Sequence, residues 1–288
     1  MGTVARDLQM EEERRRRRRR MSDLGYLGIV LVVLLVWAAP VLWTLVTSFK
    51  VRTDIFTIPP TILFVPTLES YIYAFTTRPV LAYLRDSFII ASAATAIALS
   101  FAIPGAYAYA RLKFRFRNQL SFYLLFMQMI PYLGLILPFF VILTRLKWTD
   151  TYQGLVLVNL AVVIPTATWL MITYFQDLPR EVEEAAAVDG ATHWQTFYRV
   201  MLPQAYGGVA VTAIFTFLWV WNEFLFAVIL SGSKVRPFTV GMYGFLQFEE
   251  NLWGPLTATA CAAMLPVIIV ALLAQRHIIR GLTMGAVK

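Results

Sequence analysis

An all-α membrane protein with six transmembrane helices, both termini cytoplasmic, and a short helical segment between helices 4 and 5 is the fold this chain predicts. Three observations carry it. Hydrophobic residues make up 59 % of the 288 and charged residues 15 %, with mean hydropathy +0.65, a composition that belongs to integral membrane proteins. The apolar residues gather into six runs at 25–48, 86–110, 119–143, 152–176, 206–230 and 255–275, near the ~20 residues that a ~30 Å hydrocarbon core demands. Between the fourth and fifth runs lies an acid-rich polar stretch too short for a soluble domain.

The first run is preceded by Arg14 to Arg20. Its length and the lack of a cleavage site argue for an uncleaved span rather than a signal peptide. The net charge of +8 would suggest nucleic acid in a soluble protein. Here it comes mainly from that arginine block, where the positive-inside rule puts a cytoplasmic anchor. Of the 25 Lys and Arg, six spans place 17 inside and eight outside. Beyond the tail, the main support is the basic loop of Arg111, Lys113, Arg115 and Arg117. The reading is therefore a basic cytoplasmic tail over 1–20, open to disorder, and one transmembrane domain over 21–288. Met21 offers an alternative start. The tail reads as a solvated charge run, with anionic lipid as its alternative partner.

After the first span, Pro59, Pro60, Pro66 and Pro79 interrupt a long external segment, with Tyr71, Tyr73 and Phe75 as interfacial packing. The second span is rich in small residues, among them Ala91, Ser92, Ala93, Ala94, Ala96, Ala98 and Ser100. Small residues let backbones approach in lipid, so this is an interface helix. Pro131, Pro138, Pro165 and Pro266 fall in later spans, where freed carbonyls need a partner or a wet cavity. No internal repeat is visible, which favours a subunit that pairs with another chain.

In the polar segment, Asp177-Leu178-Pro179 reads as a helix start and residues 180–188 as good helix formers with acids near the N-terminal end. Gly190 suits a left-handed C-terminal cap. Thr192 caps a second short helix through Val200, and Pro203 closes it. A helix of about nine residues is not stable alone, so it needs a surface to pack on. Further along, Trp219, Trp221, Asn222 and Glu223 place a polar pair inside an apolar helix, where a carboxylate costs on the order of 3 kcal/mol unless it faces a partner or a wet cavity. Two readings of the pair stay open. One is a structural bond to a neighbouring helix. The other is a polar wall of a translocation path, with Trp219 or Trp221 offering a face for a sugar ring.

One cysteine, Cys261, excludes an intrachain disulfide. The two histidines, His193 and His277, form no metal spacing, and no Gly-x-x-x-x-Gly-Lys-Ser/Thr phosphate loop occurs. No cofactor is expected on this chain.

The polar segment closely resembles the cytoplasmic EAA loop of importer-type ABC transporter permeases. Glu184, Ala185, Ala186, Gly190, Leu202 and Pro203 stand at that motif's spacing, with Val200 where Ile is usual. Pro104 to Arg111 resembles the family's boundary after span two. Trp221-Asn222-Glu223-Phe224 and the tail Gly281 to Lys288 resemble the carbohydrate branch, the maltose-permease-like type. Asp86 departs from the family, which often has Asn there; a local ion pair with Arg85 is expected instead.

The resemblance implies a multi-pass permease of the cell membrane, forming half of an alternating-access pathway for a sugar, oligosaccharide or glycerol-phosphate-type solute. It implies a second, different permease chain, two ATP-binding subunits that hold ATP and Mg, an extracytoplasmic solute-binding protein, surrounding membrane lipid and no nucleic acid. Glu184 and Asp189 would make polar contacts with the ATPase, Ala185 and Ala186 close packing, and Gly190 the turn. The alternatives are an ion-coupled secondary transporter using Glu223, or a membrane-embedded transferase using acids such as Glu181 and Glu183.

Overall fold

The computed structural model describes the backbone of residues 2–246 and 251–286, and the side chains of 23, 25–246 and 251–273. The side chains of Arg14 to Arg20, His277 and the tail from Gly281 to Lys288 lie outside the described residues. The first span belongs to α1 (Gly2–Ser48). Two short helices, α2 (Arg52–Ile55) and α3 (Glu69–Thr77), follow before the long α4 (Val80–Arg111). Then come α5 (Arg117–Met129), α6 (Tyr132–Leu146) and α7 (Tyr152–Asp177).

The polar segment holds α8 (Glu181–Val188), α9 (His193–Gln195), a π-helical turn (Thr196–Met201) and α10 (Leu202–Gln204). The chain ends through α11 (Tyr206–Trp221), α12 (Leu225–Leu230), α13 (Phe238–Tyr243) and α14 (Trp253–Ala286).

Among the described residues, four helices are long and apolar enough to cross a membrane, and the number reaches six if each of two bent pairs is one span. The expected single third span over 119–143 is corrected: α5 and α6 meet at 93°. Pro131 is the cause, since it lacks an N–H and disfavours helical geometry at Ile130. The expected continuous fifth span over 206–230 is also interrupted, at 222–224. At the α8 end of the bundle, α9 to α10 meets α11 at 72°.

The centre is built on α4 and α7. Ala91, Ala94, Ala98, Ala102, Ala106 and Ala110 recur every three or four residues on α4, and all are buried. That spacing keeps them on one helix face, so α4 and α7 lie close together along their length. Because lipid tails are as apolar as the side chains, close van der Waals packing rather than water exclusion drives this contact. The expectation of an interface helix holds for Ala91, Ala94 and Ala98, while Ala96 and Ser100 face outward. One apolar cluster joins α4 and α7 to α11, α12 and α13 through Ile90, Leu155, Phe217, Trp221 and Phe238. A second joins the α8 end of the bundle through Tyr107, Phe175, Phe197 and Met201. By contrast, the most apolar stretch of the span in α1 is unburied, and only Thr47 and Ser48 at its end are covered.

Candidate functional site

Three local constructions stand out, two at opposite ends of the bundle and one between them. The first is the polar segment. Asp177 ends α7 rather than capping α8, a correction to the expected helix start; Arg180 holds the N-cap position. Glu181, Glu183 and Glu184 occupy the first turn of α8, where carboxylates complement the positive helix end.

At the other end of α8, Gly190 takes φ +80°. Its N–H donates to the Ala187 carbonyl at 3.1 Å, and the Ala191 N–H donates to the Ala186 carbonyl at 3.0 Å. This paired arrangement is a Schellman cap, which requires a left-handed residue at the position of Gly190. Thr192 then forms a capping box with Gln195: the Gln195 N–H donates to Oγ1 and the Thr192 N–H donates to Oε1. The expected second helix is replaced after Gln195 by the π-helical turn.

These caps decide what the segment presents. Glu184, Ala185, Asp189 and Gly190 are exposed, whereas Ala186 is buried within this chain. The expectation of Ala186 as an outward packing residue is therefore corrected: α8 uses it to seat on its own protein. Exposed Val188, Trp194 and Tyr198 extend the outward surface, with Trp194 stacked on Tyr198 at 5.8 Å. Sequence reasoning missed these, although large apolar residues in a polar segment are themselves a signal.

It also missed the strap that holds the segment to the bundle. Arg111, at the last turn of α4, donates from Nη2 to the Leu178 carbonyl at 2.6 Å. Its Nε lies 3.1 Å from Glu183 Oε1, with side chains 5 % and 20 % exposed. A buried cation joins the end of one span to the connection before α8.

Midway along the bundle, the break in span five opens a cavity of about 560 Å³ lined by Tyr132, Asn159, Phe215, Trp219, Asn222 and Glu223, among others. Glu223 is not inside a helix, as the sequence suggested. Its Oε1 and Oε2 accept from the N–H groups of Phe226 and Ala227 at 2.7 and 3.1 Å. The carboxylate thus satisfies the free donors that begin α12, which is how a chain break survives at this depth. Asn222 Nδ2 donates to the Leu218 carbonyl.

Trp219 stands 5.7 Å from the Tyr132 ring and lines the cavity. Trp221 does not. It is 2 % exposed, stacked on Phe217 at 5.7 Å and close to Phe238 at 4.9 Å. The predicted tetrad therefore divides into three cavity residues and one core residue. Asn159 joins the cavity from α7; its Oδ1 has no protein donor among the described residues. A lone amide in an apolar span was the available signal.

At the end opposite α8, the connection 231–237 is held almost entirely by acceptors from elsewhere. Asp150 accepts from the N–H groups of Gly232, Lys234 and Val235 at 2.8–3.1 Å. Asp86 accepts from the Arg236 N–H and the Tyr152 hydroxyl, and Ser87 accepts from the Phe238 N–H. The expected ion pair of Arg85 with Asp86 is present at 3.0 Å, but it is only one of the contacts that Asp86 makes. Burial would raise the Asp150 carboxyl; the backbone donors of Val235, Lys234 and Gly232 outweigh it and hold it below its usual range.

A broken-helix bundle with an aromatic and polar cavity, and a capped polar segment strapped to its end, defines a transport subunit of the membrane. The family model for the binding-protein-dependent transport system inner membrane component matches residues 98–284. The chain belongs to this family: it is a permease component of an ABC importer, a multi-pass inner-membrane protein and not an enzyme.

Among its relatives, a probable ABC transporter permease protein, y4oR of Sinorhizobium fredii, is 36 % identical over 253 residues, 88 % of this chain and 91 % of that one. The trehalose/maltose transport system permease protein MalG of Thermococcus litoralis is 33 % identical over 254 residues, 86 % and 91 % of the two chains. A chain of a bacterial ABC transporter that imports the acidic polysaccharide alginate superposes with TM-score 0.73 at 19 % identity, covering 90 % of this chain and 97 % of that one. That likeness establishes the fold as the ABC permease type.

Proposed function

We propose that this subunit forms half of an alternating-access pathway for a sugar or oligosaccharide, with six spans and both termini in the cytoplasm. Its relatives' names support a carbohydrate solute. So does the cavity, where the faces of Trp219 and Tyr132 stand beside the amides of Asn159 and Asn222 and the Glu223 carboxylate. An aromatic face takes the C–H side of a pyranose while fixed polar groups bind hydroxyls. A second, different permease chain would close the open side of that cavity. An extracytoplasmic solute-binding protein would deliver cargo, as in the alginate transporter solved with its solute-bound periplasmic protein.

ATP and Mg bind to two separate ATPase subunits. One of them docks on the exposed face of α8 through Glu184, Ala185 and Asp189, with Gly190 setting the turn, and the other on the partner permease. Their closure on ATP moves α8, and the Arg111 strap carries the motion into α4. The family assignment favours this reading over a secondary transporter or a transferase.

The observation that carries the docking reading is the Schellman cap at Gly190, which fixes how the exposed edge of α8 ends. A Cβ added there meets no neighbour within 4 Å, so the first cost of a β-branched residue is strain at this positive φ, at least ~1–2 kcal/mol. Gly190→Val should abolish uptake while leaving the chain in the membrane at normal level. Normal uptake by this variant would overturn the docking assignment.

A further inference from the structure

Between Asp54 and Glu69 the chain carries no charged residue. In this segment Ile58, Ile62, Leu63 and Val65 are 81–97 % exposed, far beyond what a water-facing loop ordinarily shows. Yet the segment is firmly built. Lys50, almost fully buried, donates from Nζ to the Thr61 carbonyl at 2.6 Å and lies against the rings of Trp43 and Phe64. The hydroxyls of Thr57 and Thr61 both donate to the Asp54 carbonyl, and the Thr67 N–H donates to the Phe49 carbonyl at 2.8 Å. The Thr67 hydroxyl accepts from the Glu69 N–H, so all three polar side chains of residues 55–68 are bonded to nearby backbone.

We infer that residues 56–68 form a membrane-interface anchor whose crest, Ile58, Ile62, Leu63 and Val65, inserts at headgroup level into the outer leaflet. This rests on α1 crossing the membrane with Ser48 at its outer end. The crest continues the membrane-facing surface of α1: the half-exposed Trp43 ring, at a depth where tryptophan favours the interface, connects to Phe64 through the Lys50 ammonium between them. A protein-docking surface would carry charged or polar groups around its apolar centre, whereas residues 55–68 carry no charge. Pro59, Pro60 and Pro66 offer no N–H groups, which lowers the number of donors left for the headgroup layer to satisfy. The irregular backbone suits that hydrated layer and not the hydrocarbon core.

The test places a nitroxide at Leu63→Cys in a Cys261→Ser background, in the full transporter held in phosphatidylethanolamine–phosphatidylglycerol nanodiscs. Labels at Val33→Cys on α1 and Lys113→Cys in the exposed basic loop after α4 serve as references for lipid and water. Collision with oxygen at residue 63 should exceed collision with a water-soluble nickel chelate several-fold, at a depth shallower than residue 33. Chelate access equal to that at residue 113 would place the crest in water and overturn the inference. Low access to both quenchers would mean a protein covers it, which also overturns it. If residue 33 itself reports water, the span assignment of α1 fails instead.

Discussion

Removal of the Arg111 guanidinium is the sharpest test of how motion passes from the polar segment to the bundle. Arg111→Met keeps an unbranched stem that reaches about as far as Nε and deletes the guanidinium with its charge. In the native chain Nε is 3.1 Å from Glu183 Oε1, with both groups largely removed from water, and Nη2 also holds the Leu178 carbonyl. At an effective dielectric of 20 the ion pair attracts by ~5 kcal/mol. Desolvation offsets most of that in the intact pair, but truncating one partner leaves a half-buried carboxylate and carbonyl without their cation. Such losses run to ~3–5 kcal/mol; because Glu183 keeps 20 % of its side chain in contact with solvent, about 3 kcal/mol is expected. That corresponds to a ~100-fold shift in the balance between strapped and free α8.

The assay is uptake and ATP hydrolysis measured together in proteoliposomes. The variant should still hydrolyse ATP, because α8 and its exposed face are intact, but solute moved per ATP should fall several-fold. Glu183→Gln in the same background should add little, since the partner is already gone. Unchanged solute per ATP in Arg111→Met would refute the strap as the transmitting element.

At the opposite end, Asp150→Asn should loosen residues 231–237 and lower stability by about 2–4 kcal/mol, because hydrogen bonds to a charged acceptor contribute a net ~1.5–3 kcal/mol each and the neutral amide keeps only part of that. The same bond set predicts the pH dependence. The Asp150 carboxyl sits below its unfolded value, so its contribution is complete above about pH 4 and is lost as pH falls through the lower folded value. Hydrogen exchange of the Gly232, Lys234 and Val235 amides should rise over that acid window in the native chain, relative to its usual pH trend, and not in Asp150→Asn. In the middle of the bundle, Trp219→Ala should raise the solute concentration needed for half-maximal transport with little effect on thermal stability. Trp221→Ala should destabilise by ~3–5 kcal/mol, seen as a lowered Tm and reduced membrane level; equal effects of the two substitutions would contradict their division between cavity and core.

How much of this was legible beforehand depends on the range of the interaction. The apolar runs announce spanning helices because lipid imposes a local rule: enough consecutive residues, with every backbone group bonded within the segment. The caps of α8 were legible for the same reason. Gly190 and Thr192 act on donors and acceptors within five residues, so the sequence alone determined that a short helix ends there in a left-handed turn. The spacing of Glu184, Gly190 and Pro203 carried the family, and the small residues of α4 marked it as an interface helix without saying which face is buried.

Tertiary structure alone decided the rest. Ala185 and Ala186 are the same residue side by side, and only the packing of α8 on its own bundle leaves one outward and buries the other. Trp219 and Trp221 likewise differ through the positions of Tyr132 and Phe238, far away in sequence. Pro131 advertised a break but not its 93° angle, and Glu223 advertised a buried charge but not the two N–H groups of α12 that it accepts. Arg111 looked like one more positive-inside residue; its task is set by a carbonyl 67 positions away. Local rules of capping and hydropathy are written in neighbouring residues, whereas a partner across the bundle exists only once the chain has brought it there.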